Sequence, residues 1–434
     1  MNITIQPSTL YGSLQIPASK SYMQRACAAA LLKGGITTLH NSGISNDDLA
    51  AINTIQQLGA TVTKVGNAVV IDSKFDNFFT KKNEIINLNL GESGLGLRMF
   101  TPIAALLPNT VQLSGSGSLV TRPMHFFTEV LPLLNVTLTT NDGYLPFTIT
   151  GSLQPTNIEV DGSMSSQFIT GLLMAYSYTN CTATITTNNL TSKPYIAITL
   201  NVLRAFGLPL PVNNNYEQFI FSKINKSLEP PSTAFNYTIE SDWSSASFML
   251  VAAAISDDVT FTGLNLSSEQ ADSAIIYVLD KAGVKMYLTK TEVSVLKSTI
   301  LPFYFNATNC PDLFPPLVAL AAYANGTTTL KGVNRLMHKE SNRGLTLQTE
   351  FAKLGVTIHI NGDEMQIIGT GKVAIANPNC TSHHDHRIAM ALAVAALQAN
   401  TGITINDAEA VNKSYPNFYN DLQSIGAKLT ENFN

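Results

Sequence analysis

A small-residue apolar run recurs six times along this chain, and each run follows a polar cluster. The runs begin at Ala26, Met99, Gln167, Phe248, Phe314 and Met390, and read ACAAALLKGG, MFTPIAALLP, QFITGLLMAY, FMLVAAAISDD, FPPLVALAAYANG and MALAVAALQANTG. Their length and small side chains predict buried helices. Each is followed by a Thr-rich, β-branched stretch (ITTLHN, TVQLSG, ATITTNN, VTFTGLN, TTTLKG, ITINDA) that predicts a strand. Most units then carry a second, amphipathic helix ending near glycine, as in LAAINTIQQLGATV, IAITLNVLRAFGL, YVLDKAGVKM, LQTEFAKLGVTI and FYNDLQSIGAKL. Short strands such as NAVVID from Asn67 and TEVSVLK from Thr291 complete the units. The interval is about 65 to 80 residues, longer than short solenoid repeats. The pattern predicts an array of α/β units with mixed sheets.

The rhythm breaks once. A polar stretch from Asn213 to Phe235, with LEPPST inside it, separates three repeats from three. A domain boundary is expected near residue 238, with Glu240–Ser247 opening the second half. The N-terminal strand, Asn2 to Ile16, has no partner in the first repeat and is expected to join the C-terminal half. The expected domains are therefore 1–19 with 240–434, and 20–239. Two chain crossings are the arrangement expected for hinge closure over a ligand.

Composition narrows the class. Hydrophobic residues make up 45% and charged residues 13% of the 434, which describes a well-buried globular chain. A net charge of −4 gives no electrostatic case for nucleic acid or an anionic membrane. Cys27, Cys181, Cys310 and Cys380 show neither CxxC spacing nor a disulfide framework, so a reducing cytoplasm is expected. The start of the chain lacks a signal-peptide pattern, and no apolar run is long enough to span a bilayer.

Against that mildly acidic background, local cations carry information. The clusters before the six helices are SKSYMQR, GESGLGLR, DGSMSSQ, SDWSSAS, CPDLF and SHHDHR. Ser and Asp there are ordinary N-caps, and helix N-termini bind anions. Lys20, Arg25, Arg98 and Arg387 add cationic side chains that capping does not require. Lys339, Glu340 and Arg343 in HKESNR place a cation, a carboxylate and an anion clamp within one turn. Asp312 reads equally as an N-cap or as a general base needing an adjacent hydroxyl. His384, Asp385 and His386 resemble a metal cluster, but no third ligand motif accompanies them, and no metal or cofactor is expected.

In this order the clusters resemble those of the 3-phosphoshikimate 1-carboxyvinyltransferases, the EPSP synthase family. The blocks are PASKSYMQRA, VDGSMSSQFITGLLMA, TSKPYIAITLNVL, ESDWSSASF, HKESNR, DHRIAMALAV and NKSYPNFYNDL, spanning nearly the whole chain. The resemblance implies an α/β fold of two similar domains, each of three βαβαββ-type repeats, with the active site in the interdomain cleft. It implies transfer of the enolpyruvyl group of phosphoenolpyruvate to the 5-hydroxyl of shikimate 3-phosphate, with release of phosphate, in chorismate and aromatic amino acid biosynthesis. Carried over by motif, Lys20, Ser21, Arg25, Ser165, Ser166, Gln167, Ser192, Tyr195, Asp312 and Lys339 would hold shikimate 3-phosphate. Lys20, Gly94, Arg122, Gln167, Arg343, Arg387 and Lys413 would hold phosphoenolpyruvate. Lys20, Asp312 and Glu340 are the expected catalytic groups. Guanidinium and ammonium groups would supply the positive field, so the chemistry calls for no metal. A cytoplasmic monomer is expected.

Some positions depart from the family pattern. Glu92-Ser93-Gly94-Leu95 stands where Asn-Ala-Gly-Thr is common, and Met99 where Pro is common. Glu92 puts a carboxylate near the expected phosphate site, which is unfavourable unless it pairs, with Arg122 the candidate. These changes bear on phosphoenolpyruvate affinity and glyphosate sensitivity. Asn342 replaces an Asp and removes a charge. Two rivals stand beside the main reading. A UDP-N-acetylglucosamine enolpyruvyl transferase would carry Cys or Asp in the loop that reads SGSGSLVTRP here. A non-catalytic anion-binding paralogue would not need Lys20, Asp312, Glu340, Arg343, Arg387 and Lys413 together.

Overall fold

In five of the six repeats the long helix starts upstream of its apolar run and takes in part of the polar cluster, whereas the fifth starts with its run at Phe314. In the computed structural model, which describes residues 1–75, 84–223 and 234–432, these helices are Lys20–Lys33, Gly94–Ala104, Ser166–Thr179, Trp243–Ile255, Phe314–Ala321 and His386–Ala396. The extension follows from capping: Ser93, Ser165, Asp242 and Asp385 each accept a first-turn backbone N–H. Asp312 does not cap; it lies in a short 3₁₀ turn before Phe314, and its carboxylate points to cations.

The chain folds into two units, Met1–Pro17 with Glu240–Asn434, and Ala18–Ile239. The passage falls at Pro17–Ala18, two residues before the expected 19–20, because the Pro17 carbonyl accepts the Asp242 N–H at 2.8 Å. Within each unit the three long helices pack on one another. Small residues permit the close approach: a Cβ at Gly171 would stand 2.5 Å from the Arg98 carbonyl oxygen. In the C-terminal unit Ala252, Ala253, Ala319, Ala393 and Ala395 are fully buried in the same role.

Among the described residues six four-stranded sheets cover these helices. All share one order, seen in the second repeat as Ile85–Asn89, Thr110–Ser114, Tyr144–Thr150 and Thr137–Asn141. The first pair is parallel and the other two are antiparallel, so each unit is βαβαββ. That repeat also has a second helix, His125–Leu133, which follows the helix start expected at Arg122-Pro123 but is not among the amphipathic runs ending near glycine. Its closing left-handed residue is Asn135 rather than glycine.

Three sheets borrow a strand from distant chain. The expected N-terminal strand is two: Asn2–Gln6 enters the sixth repeat's sheet between Ile403–Asn406 and Lys428–Asn432, and Gly12–Gln15 pairs parallel with Val259–Thr262. Pro7 and Gly12, the latter at φ 93°, interrupt the run between them. Phe235–Thr238 returns to the first repeat and pairs parallel with Gly35–His40. The polar stretch opens as a hairpin, Val212–Asn214 with Gln218–Phe221, turning through left-handed Asn215 and Tyr216. LEPPST, at 228–233, lies outside the described residues. Among the described residues no helix is long and apolar enough to cross a membrane.

Candidate active site

The C-terminal unit gathers its charged groups around one guanidinium. Arg343 is the first residue of helix Arg343–Lys353, whose N-cap, Asn342, accepts the Leu345 N–H. Its side chain is 1% exposed, and it donates to three carboxylates: Nη1 to Asp312 Oδ1 at 2.9 Å, Nη2 to Glu340 Oε2 at 2.5 Å, and Nε to Asp385 Oδ2 at 2.7 Å. A further bond from Nη2 to Asp385 Oδ1 at 3.1 Å makes the last contact bidentate. Burial opposes this charge, yet Asp385, Glu340 and Asp312 outweigh it and hold the Arg343 proton more firmly than usual.

Asp312 lies at the meeting of three cations. Besides Arg343 it accepts Lys339 Nζ at 3.2 Å, and Arg387 Nη2 reaches its other oxygen at 3.1 Å. Burial by itself would raise its carboxyl, but Arg387, Lys339 and Arg343 hold it far below the usual carboxylate range. Lys339 is shifted down by burial, with Asp312 partly restoring it. Lys413 Nζ stands 3.7 Å from Glu340 Oε1. Asp272, bonded to the Ser244 hydroxyl, is pushed up to about 7 by burial and then by the charge of Asp312.

The N-terminal unit presents three polar patches. Lys20 begins its helix and pairs with Asp47 Oδ2 at 2.8 Å, in the first turn of helix Asn46–Gln57. Arg25, one turn on, is wholly buried: it donates to the Ser21 carbonyl (2.9 Å), the Tyr195 carbonyl (3.3 Å) and Thr199 Oγ1 (3.0 Å). Among the described residues no carboxylate pairs with it, and burial pushes it down to about 10. Ser192, at the start of helix Lys193–Ala205, adopts φ 57° and ψ 41°, a left-handed conformation costly for a residue with a Cβ.

The third patch forms at the N-terminus of helix Gly94–Ala104. A Cβ at Gly94 would lie 2.8 Å from Arg122 Nη1 and 3.3 Å from Arg98 Nη1, so glycine lets both guanidinium groups close on the backbone there. Arg98 Nη1 also donates to Gln167 Oε1 at 2.8 Å, and its guanidinium carbon is 5.0 Å from the Phe168 ring centroid. Ser165 caps the next helix by accepting the Gln167 N–H at 3.3 Å, and Ser166 is buried behind it. Each unit therefore offers guanidinium and ammonium groups suited to carboxylate and phosphate.

A family model described as EPSP synthase (3-phosphoshikimate 1-carboxyvinyltransferase) matches residues 5–422. A 3-phosphoshikimate 1-carboxyvinyltransferase of Clostridium novyi (strain NT) is 33% identical over 438 residues, covering 99% of this chain and 98% of the relative. One of Clostridium kluyveri is 34% identical over 430 residues, with 99% and 98% covered. The chain belongs to the EPSP synthase family. A solved EPSP synthase from Acinetobacter baumannii has the same fold, with TM-score 0.79, 25% identity, and 99% of this chain and 100% of that one covered. The enolpyruvyl transferase NikO from Streptomyces tendae shares the fold at 19% identity and TM-score 0.78, with 99% and 98% covered.

Within this EPSP synthase framework, Asp312, Lys339, Glu340, Arg343, Arg387 and Lys413 fall in one cluster. Sequence reasoning missed Asp47 as the partner of Lys20. Its signal was Ser45-Asn-Asp-Asp before an apolar run, a capping box that the structure forms between Ser45 and Asp48. It gave Asp385 only a metal or capping reading, and it left Arg98, one turn beyond Gly94, out of the site.

The departures also have places. The Glu92 carboxylate lies over Gly117, where a Cβ would be 2.4 Å from Oε1. Leu95 and Met99 are buried, at 7% and 0% exposure. Among the described residues Glu340, Asp385 and His386 bring ligand atoms within 4.8 Å of one another. Both carboxylates of that group are already engaged by Arg343.

Proposed function

We propose that the Arg343-centred cluster, together with Lys20, Arg122 and the Gly94 turn, carries out enolpyruvyl transfer on phosphoenolpyruvate and shikimate 3-phosphate. The chain is an enolpyruvyl transferase of the shikimate pathway, acting toward chorismate and the aromatic amino acids. In our reading Arg343, Arg387, Lys413 and Arg122 collect the carboxylate and phosphate of phosphoenolpyruvate, with the Gly94 backbone and Gln167 against its phosphate. Ser21, Arg25, Ser165, Ser166, Gln167, Ser192, Tyr195 and Lys339 serve shikimate 3-phosphate. Arg25, being buried, contributes through its charge and by fixing Ser21 and Tyr195.

The reaction needs a base at the 5-hydroxyl and an acid at C3. The hydroxyl oxygen bonds to C2 while a proton enters at C3, giving a tetrahedral intermediate with a methyl group. That proton then leaves C3 as the C2–O bond to phosphate breaks, so phosphate is released and the enol ether remains. We assign the hydroxyl proton to Asp312 and the C3 proton to Glu340, with Lys20 neutralising charge at the leaving oxygen. The observation that supports this is the sharing of Arg343: Asp312 and Glu340 bond to its two terminal nitrogens. A substrate anion competing for Arg343 and Arg387 frees Asp312 from the partners that hold its proton affinity low, and turns it into a base.

The test is phosphate release from phosphoenolpyruvate, with and without shikimate 3-phosphate, in wild type and Glu340→Ala. Release requiring both substrates and falling at least 100-fold in the variant is the expected result. Binding of both ligands without turnover in wild type would overturn it. We further propose a cytoplasmic monomer. The four cysteines are free thiols, and every group named belongs to this one chain. Sedimentation at 46.7 kDa checks the assembly.

A further inference from the structure

Two turns beyond Arg343, the same helix carries a buried carboxylate that the reaction does not use. Glu350 is 1% exposed and accepts four bonds: Lys353 Nζ at 2.8 and 3.0 Å, His383 Nε2 at 2.8 Å, and the Thr381 backbone N–H at 3.0 Å. Its last two partners lie at the end of strand Asn379–Thr381 and in the turn that runs from it into helix His386–Ala396, the segment that delivers Asp385 and Arg387.

That turn is costly to form. His383 and His384 stand side by side in the left-handed region, at φ 52° and 56°, a conformation disfavoured for any residue with a Cβ. Something must hold it there. Ser382 anchors the start through its N–H to the Asn406 carbonyl and its hydroxyl to the Asp407 carbonyl. His384 Nε2 reaches Asp407 Oδ2 at 3.6 Å, on an exposed side where an ion pair contributes little. Glu350 grips the other side from the interior, where a charge-assisted bond holds more firmly. Helix Arg343–Lys353 therefore touches the turn twice: at Glu350, and at Arg343, whose guanidinium is bidentate on Asp385.

We propose that Glu350 is a positioning residue: by clamping His383 and Thr381 it sets where the turn places Asp385 and Arg387 relative to Arg343, and so determines affinity for phosphoenolpyruvate. The proposal rests on the reading that Arg343 and Arg387 hold that substrate. His383 is the specific lever in this chain, since its ring nitrogen is the side-chain contact between turn and helix at this point.

The experiment measures steady-state phosphate release against phosphoenolpyruvate concentration for wild type, Glu350→Gln, His383→Leu and His383→Gln, with Arg387→Ala as reference. The expected result is a KM for phosphoenolpyruvate raised about tenfold in Glu350→Gln and several-fold in His383→Leu, the scale of one lost bond to a charged group. kcat should change less than twofold, and His383→Gln, which keeps a donor, should return most of the affinity. His383 is 40% exposed, so its variants test the idea even where Glu350→Gln fails to fold. If Arg387→Ala raises KM while both His383 variants match wild type, the clamp is refuted and the site reading stands. If Arg387→Ala leaves KM unchanged, the site reading falls and takes the clamp with it.

Discussion

Replacing Asp385 with Asn tests whether the Arg343 cluster is held together by charge. Asp385 is fully buried and makes four bonds: two from Arg343, one from Ser341 Oγ at 3.0 Å, and one from the Arg387 backbone N–H at 3.0 Å. Asparagine keeps one oxygen for the cap but removes the charge and turns its amide nitrogen toward the guanidinium. Breaking a buried pair by removing one partner costs about 3–5 kcal/mol, because the remaining charge loses its compensation. Arg343 still has Asp312 and Glu340, which places the expected loss near the lower end, about 3 kcal/mol. With a urea slope of about 2 kcal/mol/M, the midpoint should fall by roughly 1.5 M. Trp243, the one tryptophan of the chain, is fully buried in the unit that contains Asp385, so its fluorescence reads that unit directly. Asp407→Asn is the control: its side chain is 38% exposed, its partner His384 is 83% exposed, and its loss should stay below about 0.5 kcal/mol. A midpoint shift in Asp385→Asn no larger than that of the control would refute the reasoning.

Two further outcomes follow from the N-terminal unit. Burial, opposed by the Ser45 bonds, pushes the Asp48 carboxyl from 3.8 up to about 7. A raised acid favours the folded state below the unfolded value and loses that contribution as pH rises through the folded one. Wild type should therefore lose stability between about pH 4 and 7, by an amount on the order of 4 kcal/mol from this group. Asp48→Asn should melt at a temperature that rises relative to wild type from pH 5 to pH 8 in circular dichroism, and parallel curves would sink the idea. Gly94→Ala puts a methyl 2.8 Å from Arg122 Nη1. It should raise KM for phosphoenolpyruvate about tenfold with little change in melting temperature, since a flexible side chain must move rather than backbone.

What could be read from the sequence was what neighbouring residues encode. The six helix–strand pairs showed because burial imposes a 3.6 or 2 residue period on adjacent positions. Where that local signal was replaced, as by Asn135 at the end of His125–Leu133, Pro123 marked the start of the element but no glycine marked its end. Lys339, Glu340 and Arg343 were legible as a group because they lie within one turn of chain. The motif order likewise needed only the sequence.

The tertiary structure decided which distant groups meet. Asp312 looks like a cap in CPDLF, and only packing shows its carboxylate on Lys339, Arg343 and Arg387 instead. Asp385 meets Arg343 across 42 positions of sequence, and Lys20 meets Asp47 across 27. Asn2–Gln6 and Gly12–Gln15 finish sheets whose other strands lie beyond residue 258, a pairing fixed by edge hydrogen bonds and not by composition. Periodicity is a property of neighbours, whereas the proton affinity of Asp312 and the burial of Arg25 depend on groups that only the folded chain brings within a few ångströms.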